Sequence, residues 1–217
     1  MKGIIFDLDG TILYTLPDLN NALNYTLPLF NHDKVTLEDT RLNIGHGIRN
    51  LILDSSNHDK DNIDNMYNTF MKYYHIHCDD NTIPYNGINE LLLELKSKNY
   101  ILGVITNKNI IMTEKLLNNH FNNIFDVVIG DGVGFKRKPD VESLEYIRTK
   151  FNALKDDIIY IGDSEVDFEF SKNFGCKNII VSYGYRDKKD LEAYGINNII
   201  DNVSDLKDEI NNILSQN

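Results

Sequence analysis

Gly3-Ile4-Ile5-Phe6-Asp7-Leu8-Asp9-Gly10-Thr11 is an unbroken apolar run that stops abruptly at two carboxylates and a glycine. A short apolar run closed by turn residues reads as a strand buried on both faces, the kind from which parallel sheets are built. Side chains alternate along extended backbone, so Asp7 and Asp9 project to one side and Leu8 to the other. Gly10 permits a sharp turn and lets its backbone N–H approach an anion closely. Crowding two carboxylates costs about 4 kcal/mol for unit charges roughly 4 Å apart at an effective dielectric near 20. Such crowding persists where a cation, a shared proton or chemistry accounts for it. For Asp-x-Asp alone, a solvated turn is an equally good reading.

Outward from this segment, runs of the same kind recur at 101–105, 127–129, 158–161, 179–181 and 199–200. Helical patterns lie between them at 90–98, 113–120, 141–150, 164–174 and 204–214. Strands alternating with helices predict right-handed βαβ units, hence an α/β fold with a doubly wound, mostly parallel, Rossmann-like sheet. One stretch breaks the alternation. From Tyr14 to Ile83 there are helical patterns at 18–30, 36–43, 47–54 and 61–77 but no strand, and Pro84-Tyr85-Asn86-Gly87 then turns the chain back. The expected organisation is an all-helical cap domain, residues 14–83, inserted into a catalytic core formed by residues 1–13 and 84–217.

The chain has 217 residues with 22 Lys and Arg against 33 Asp and Glu, a formal net charge of −11. That size buries enough surface to fold without a disulfide or structural metal. The acidic balance argues against nucleic acid, whose phosphates would be repelled. Two cysteines, Cys78 and Cys176, exclude a disulfide scaffold and suggest a reducing compartment. No apolar run approaches the roughly 20 residues that span a bilayer, and no secretory leader is visible, so a soluble, cytoplasmic protein is expected. The many asparagines we read as codon bias.

Three further segments bear on the acidic pair. Ile105-Thr106-Asn107-Lys108 ends a strand with a hydroxyl and an amide able to meet phosphate oxygens; Arg137-Lys138-Pro139-Asp140 sets a cation beside a rigid turn. Ile161-Gly162-Asp163-Ser164-Glu165-Val166-Asp167 ends another strand with two acids four residues apart, on one face of a helix that begins at Ser164. Ligands of open α/β sheets bind outside the carboxyl ends of the strands, near the switch point, where Asp7, Thr106 and Asp163 would all lie. Asp7, Asp163 and Asp167 offer hard oxygens suited to Mg2+, and Lys138 would offset their charge. One aspartate could attack phosphorus while its neighbour handles the proton.

In order and spacing, Asp7-Leu8-Asp9-Gly10-Thr11, Thr106, Lys138-Pro139 and Gly162-Asp163-Ser164 with Asp167 resemble the four motifs of the haloacid dehalogenase superfamily. Residues 41–47, 84–87, 106–108 and 181–186 most resemble its phosphoglycolate phosphatase branch. The resemblance implies a Mg2+-dependent hydrolase of small phosphomonoesters. Asp7 would be nucleophile and metal ligand. Asp9 would be general acid/base, with its carbonyl on the metal. Thr106, Lys138, Asn107 and the backbone from Leu8 to Gly10 would hold the phosphoryl group. Asp163 and Asp167 would complete the metal site, and Gly45, His46, Gly47 and Arg49 of the cap would contact substrate. A small phosphorylated metabolite is the expected partner, with no nucleic acid and no membrane, for a monomer or homodimer. A phosphosugar mutase of the β-phosphoglucomutase type, a pyrophosphatase or a broad nucleotide phosphatase shares these motifs. An aspartate-phosphorylated signalling domain is the non-enzymatic alternative. Tyr14, Val141 and Glu169-Phe170-Ser171 depart from the common pattern, and Lys136 rivals Lys138. His75, His77 and Cys78 read as a helix end, Cys176 as a packing residue and Lys188-Lys189 as a solvated face.

Overall fold

A computed structural model describes residues 2–45 and 47–215. Along the chain run β1 (Gly3–Phe6), β2 (Leu13–Tyr14), α1 (Leu16–Thr26), a 3-10 turn (Leu27–Phe30), α2 (Leu37–Asn43), α3 (Ile48–Ser55), α4 (Ile63–His77) and β3 (Ile83–Pro84). There follow α5 (Ile88–Ser97), β4 (Ile101–Asn109), α6 (Ile110–Phe121), β5 (Val127–Asp131), α7 (Glu142–Lys150) and β6 (Ile158–Gly162). The chain ends with α8 (Glu165–Phe174), β7 (Lys177–Val181), α9 (Lys188–Ala193), β8 (Ile199–Ile200) and α10 (Val203–Ser215). Two compact units result, one of residues up to Leu13 and from Pro84 onward, the other Tyr14–Ile83.

The first unit is a six-stranded sheet of order β5-β4-β1-β6-β7-β8, parallel throughout. β1 lies inside it, Gly3 facing Ile101 on one side and Ile158 on the other. Ile4, Ile5 and Phe6 are fully buried, as a strand covered on both faces requires. The chain leaves β1 for β4 and β5 on one side, then crosses to β6, β7 and β8 on the other. The switch point is therefore the carboxyl end of β1. Ile5, Ile105, Ile158, Tyr160 and Phe170 share one core cluster.

β4 runs to Asn109, four residues past the apolar run that announces it. Its register against β5 shifts between Ile105 and Asn109, and pairing resumes only at Asn109, opposite Asp131. α8 opens with a reciprocal cap: Ser164 accepts from Asp167 N–H while the Asp167 side chain accepts from Ser164 N–H. α9 escaped the sequence pattern, since six residues with only Leu191 buried give little periodicity. Asn31, Asn99, Asn122 and Asn152 have positive φ at or just past helix ends, so part of the asparagine excess does local work that codon bias does not describe.

In the second unit α1 packs on α4, and Leu19, Leu23, Met66 and Phe70 are fully or almost fully buried. Asp18 is buried there. It accepts from the N–H of Asn81 at 2.9 Å, its side-chain amide at 2.8 Å and the Thr82 hydroxyl at 2.9 Å. Asn24 clamps Val35 with two hydrogen bonds, ordering the approach to α2. No described helix is long and apolar enough to cross a membrane.

Candidate active site

Asp7 follows β1 directly, and its N–H donates to Ile161 O at 2.8 Å, extending the pairing with β6 by one residue. Beyond it the chain curls tightly: Leu8 O accepts from Ile12 and Leu13, both at 3.1 Å. In that curl the Gly10 N–H donates to Leu13 O at 2.9 Å. This corrects the expectation that it faces an anion: the turn closes on itself. Gly10 earns its place otherwise, with φ +81° and a position where a Cβ would lie 2.3 Å from Asp163 Oδ2. Gly184 is equally constrained, since its Cβ would meet the Asp163 Cβ at 2.4 Å. Neither turn has room for a side chain beside the Asp163 carboxylate.

Asp7, Asp163 and Asp167 are all buried, and one oxygen from each lies within 4.8 Å of the others. Lys138, also buried, sits against them, 2.8 Å from Asp7 Oδ1 and 2.7 Å from Asp167 Oδ1. The first of these is an ion-pair distance without hydrogen-bond geometry, and it leaves Asp7 Oδ1 buried and without a hydrogen bond. Burial pushes the Asp7 carboxyl up to about 7, Lys138 opposes, and Asp167 and Asp9 add to the rise. Asp163 is raised well above the ordinary carboxylate range by burial and then by Asp167 and Asp7. Lys138 is held above its usual value by Asp167 and Asp7, although burial acts the other way. Three buried carboxylates against one ammonium leave excess negative charge and an oxygen without a hydrogen bond. Hard oxygens in that state fit a divalent cation.

Asp163 Oδ2 accepts from Tyr185 N–H at 2.7 Å. Asp167 is more committed. Its Oδ1 meets Lys138 Nζ and the Tyr160 hydroxyl, at 2.7 and 3.0 Å, and its Oδ2 accepts from the Ser164 hydroxyl at 2.6 Å. Thr106 is buried at the end of the apolar part of β4. Asn107 turns to the neighbouring loop: its Oδ1 accepts from Lys138 N–H at 2.9 Å and its amide donates to Lys138 O at 3.3 Å. The sequence expectation had its amide on the phosphoryl group; here the amide fixes the backbone that carries Lys138.

The chain matches the haloacid dehalogenase-like hydrolase family over residues 4–181. It belongs to that family. It is 30% identical over 215 residues to a phosphoglycolate phosphatase of Cereibacter sphaeroides, covering 95% of this chain and 97% of that one. It is 27% identical over 214 residues to the pyrophosphatase PpaX of Bacillus cereus, covering 98% of each. Among solved structures, a proposed phosphoglycolate phosphatase from Lactobacillus delbrueckii subsp. bulgaricus superposes with a TM-score of 0.89 at 29% identity, over 97% of this chain and 99% of that one. This haloacid dehalogenase-like hydrolase is thus an enzyme of the phosphoric monoester hydrolase class, on the phosphoglycolate-phosphatase-like branch.

Sequence reasoning missed two residues of the hydrolase site. Lys108, quoted only as the neighbour of Thr106 and Asn107, is buried, and its ammonium holds both oxygens of Asp9, at 2.9 and 3.3 Å. Side-chain alternation, which puts 106 and 108 on one side of β4, was the signal available. Tyr160 lies inside an apolar run and carries no motif. The rivalry between two lysines is resolved by burial: Lys136 is exposed and pairs with Glu142 at 3.1 Å. Gly45, Gly47 and Arg49 belong to the helical unit. Gly47 precedes α3, and Arg49 pairs with Asp64 at 2.6 Å and lies over the Tyr67 ring. His46 lies outside the described residues. His77 pairs with Asp80, and among the described residues no other acid, histidine or cysteine group gathers as a metal site does. Burial pushes the Cys176 thiol up to about 12, in keeping with a packing residue.

Proposed function

We propose that this hydrolase is a Mg2+-dependent phosphatase of small phosphomonoesters that works through an aspartyl-phosphate on Asp7, with phosphoglycolate as the foremost substrate. The observation that carries the reading is the buried trio Asp7, Asp163 and Asp167 against Lys138 at the switch point of the sheet. Asp7, Asp163 and the Asp9 carbonyl would hold Mg2+, with Asp167 behind them through its hydrogen bonds. When bound, Mg2+ would neutralise charge on the phosphoryl oxygens and draw the substrate to the nucleophile.

Asp7 attacks phosphorus, the ester P–O bond breaks, and Asp9 gives its proton to the leaving oxygen. Asp9 then takes a proton from water as that water attacks the aspartyl-phosphate, releasing inorganic phosphate and restoring Asp7. Lys138 and the Thr106 hydroxyl steady the transferring group, together with the Leu8 N–H. The helical unit 14–83 would be the cap domain of this reading, its role the exclusion of water during transfer. Pyrophosphate is the second candidate substrate, because the PpaX relative matches nearly as well over its whole length.

Phosphate release from a panel of phosphomonoesters and pyrophosphate, with Mg2+ or EDTA, tests the proposal. Mg2+-dependent preference for phosphoglycolate supports it, and preference for pyrophosphate replaces the substrate. No release from any member by folded, Mg2+-loaded protein would overturn the phosphatase reading and favour a mutase or a phosphorylated signalling role.

A further inference from the structure

We infer that Tyr160 is a positioning residue, holding the Lys138 ammonium in place against the nucleophile; the inference rests on the phosphoryl-transfer reading above. Tyr160 lies on β6 and is fully buried, its ring packed edge-on to Phe170 with centroids 4.9 Å apart. A phenylalanine would fill the same apolar space without burying a hydroxyl, so the hydroxyl is the feature to explain. It lies 3.0 Å from Lys138 Nζ, 3.0 Å from Asp167 Oδ1 and 3.2 Å from Ile105 O.

An ammonium has three N–H donors and no acceptor. Lys138 Nζ has three oxygens around it: Asp167 Oδ1 at 2.7 Å, Asp7 Oδ1 at 2.8 Å and the Tyr160 hydroxyl at 3.0 Å. Asp7 is the one of these that must change during turnover. Once it is esterified, the ammonium keeps only Asp167 and Tyr160. Lys carries its charge on a flexible four-carbon stem, whereas Tyr has two rotatable bonds and here a ring locked in the core. Asp167 is fixed in turn by Ser164, so the two remaining acceptors do not follow the ammonium if it drifts. The Tyr160 proton has Ile105 O within reach, the carbonyl just before Thr106. The hydroxyl thus accepts from Lys138 Nζ and shares its one proton between Asp167 Oδ1 and Ile105 O, tying the ammonium to α8 and to the middle of β4.

The test is Tyr160→Phe in the full-length protein, with Mg2+ and p-nitrophenyl phosphate. The expected result is a fall in kcat of about tenfold to a hundredfold, the range that small misplacement of a reacting group produces, with KM within about twofold. In a Lys138→Met background the same substitution should leave the residual kcat unchanged, because the group it positions is already gone. Thermal melting and a crystal structure of the variant accompany the kinetics; the Lys138 ammonium should be displaced from Asp7. A wild-type kcat in Tyr160→Phe, an equal fall in both backgrounds, or failure of the variant to fold would each overturn the inference, the last by making the hydroxyl a requirement of the fold. If the parent protein shows no turnover, the phosphatase reading fails, and the crystal structure still decides this one: a Lys138 ammonium unmoved in Tyr160→Phe overturns it.

Discussion

Two buried aspartates, one in each unit, are treated in opposite ways. Asp18 in the helical unit is 1% exposed and accepts from Asn81 N–H, the Asn81 amide and the Thr82 hydroxyl, all between 2.8 and 3.0 Å. Asp7 in the sheet unit is 7% exposed and shares its surroundings with two other carboxylates and one lysine. Donors satisfy the first charge, whereas like charges crowd the second and raise its proton affinity. A satisfied buried acid stabilises a fold; a crowded one is kept for what binds to it.

Neutralising each acid should therefore do opposite things. Asp7→Asn removes the nucleophile, and turnover should fall by more than about a thousandfold, since a covalent route has no substitute for the attacking atom. The metal-free variant should melt no lower than the parent at pH 8, because an amide replaces a charge that burial opposes. Phosphate release and calorimetry on the two proteins check both halves. Activity near the parent's would break the contrast at its root.

The pH dependence of metal-free stability sharpens it. The Asp7 carboxyl has a value near 3.8 in the unfolded chain and about 7 when folded. Between these values the folded protein binds the proton and the unfolded chain does not, so stability is highest at the acid end and declines as pH rises. The slope is at most about 1.4 kcal/mol per pH unit for one group, and Asp163 adds to it in the same direction. Melting in EDTA should fall from pH 5 to 7. Mg2+ should flatten that fall and release protons on binding. Asp7→Asn should reduce the slope. A metal-free protein equally stable at pH 5 and 7 would contradict the crowding.

The sheet and the acidic cluster were legible because both rest on strong local signals. Gly3–Phe6 and Ile199–Ile200 form strands at the bounds the apolar runs define, and Asp163 follows its strand as expected. Strand ends held by polar contacts were not legible: residues 106–109 extend β4 without a hydrophobic cue. Nor were partnerships across the sheet. Lys108 reaches Asp9 from 99 positions away, and Tyr160 reaches Ile105 O from 55. Side-chain alternation brings such residues to one end of the sheet without saying which of them touch. The Gly10 N–H was misjudged for a related reason, because a glycine turn offers the same donor to an anion or to its own loop.

Lys108 tests whether the chemistry of the sheet unit depends on pairing as well as crowding. Its side chain is 3% exposed and its ammonium grips a carboxylate that is 18% exposed. Lys108→Met keeps the stem and removes the grip. Turnover should fall by about tenfold to a hundredfold, a part of the roughly hundredfold to ten-thousandfold that a positioned general acid supplies. The fall should be smaller with p-nitrophenyl phosphate, whose leaving group needs little protonation, than with an alkyl phosphate. Equal losses on both would detach Lys108 from proton transfer.

Asp18→Asn has the smallest reach. The substitution preserves shape and one acceptor oxygen but turns the other into a donor. That donor then faces the Asn81 N–H or the Thr82 hydroxyl, each of which gave a bond to the carboxylate. The hydroxyl also lies 3.0 Å from Cys78 O, so it has another acceptor and part of the loss is relieved. Charge-assisted bonds are stronger than neutral ones, and a mismatched buried donor costs about 1–3 kcal/mol, so a loss near the lower end is expected. It should appear as a lowered melting temperature with kcat unchanged at temperatures where the protein is folded. A variant as stable as the parent would show that Asp18 is as dispensable to its fold as Asp7 is to its own, and the distinction between satisfied and crowded acids would lose its meaning here.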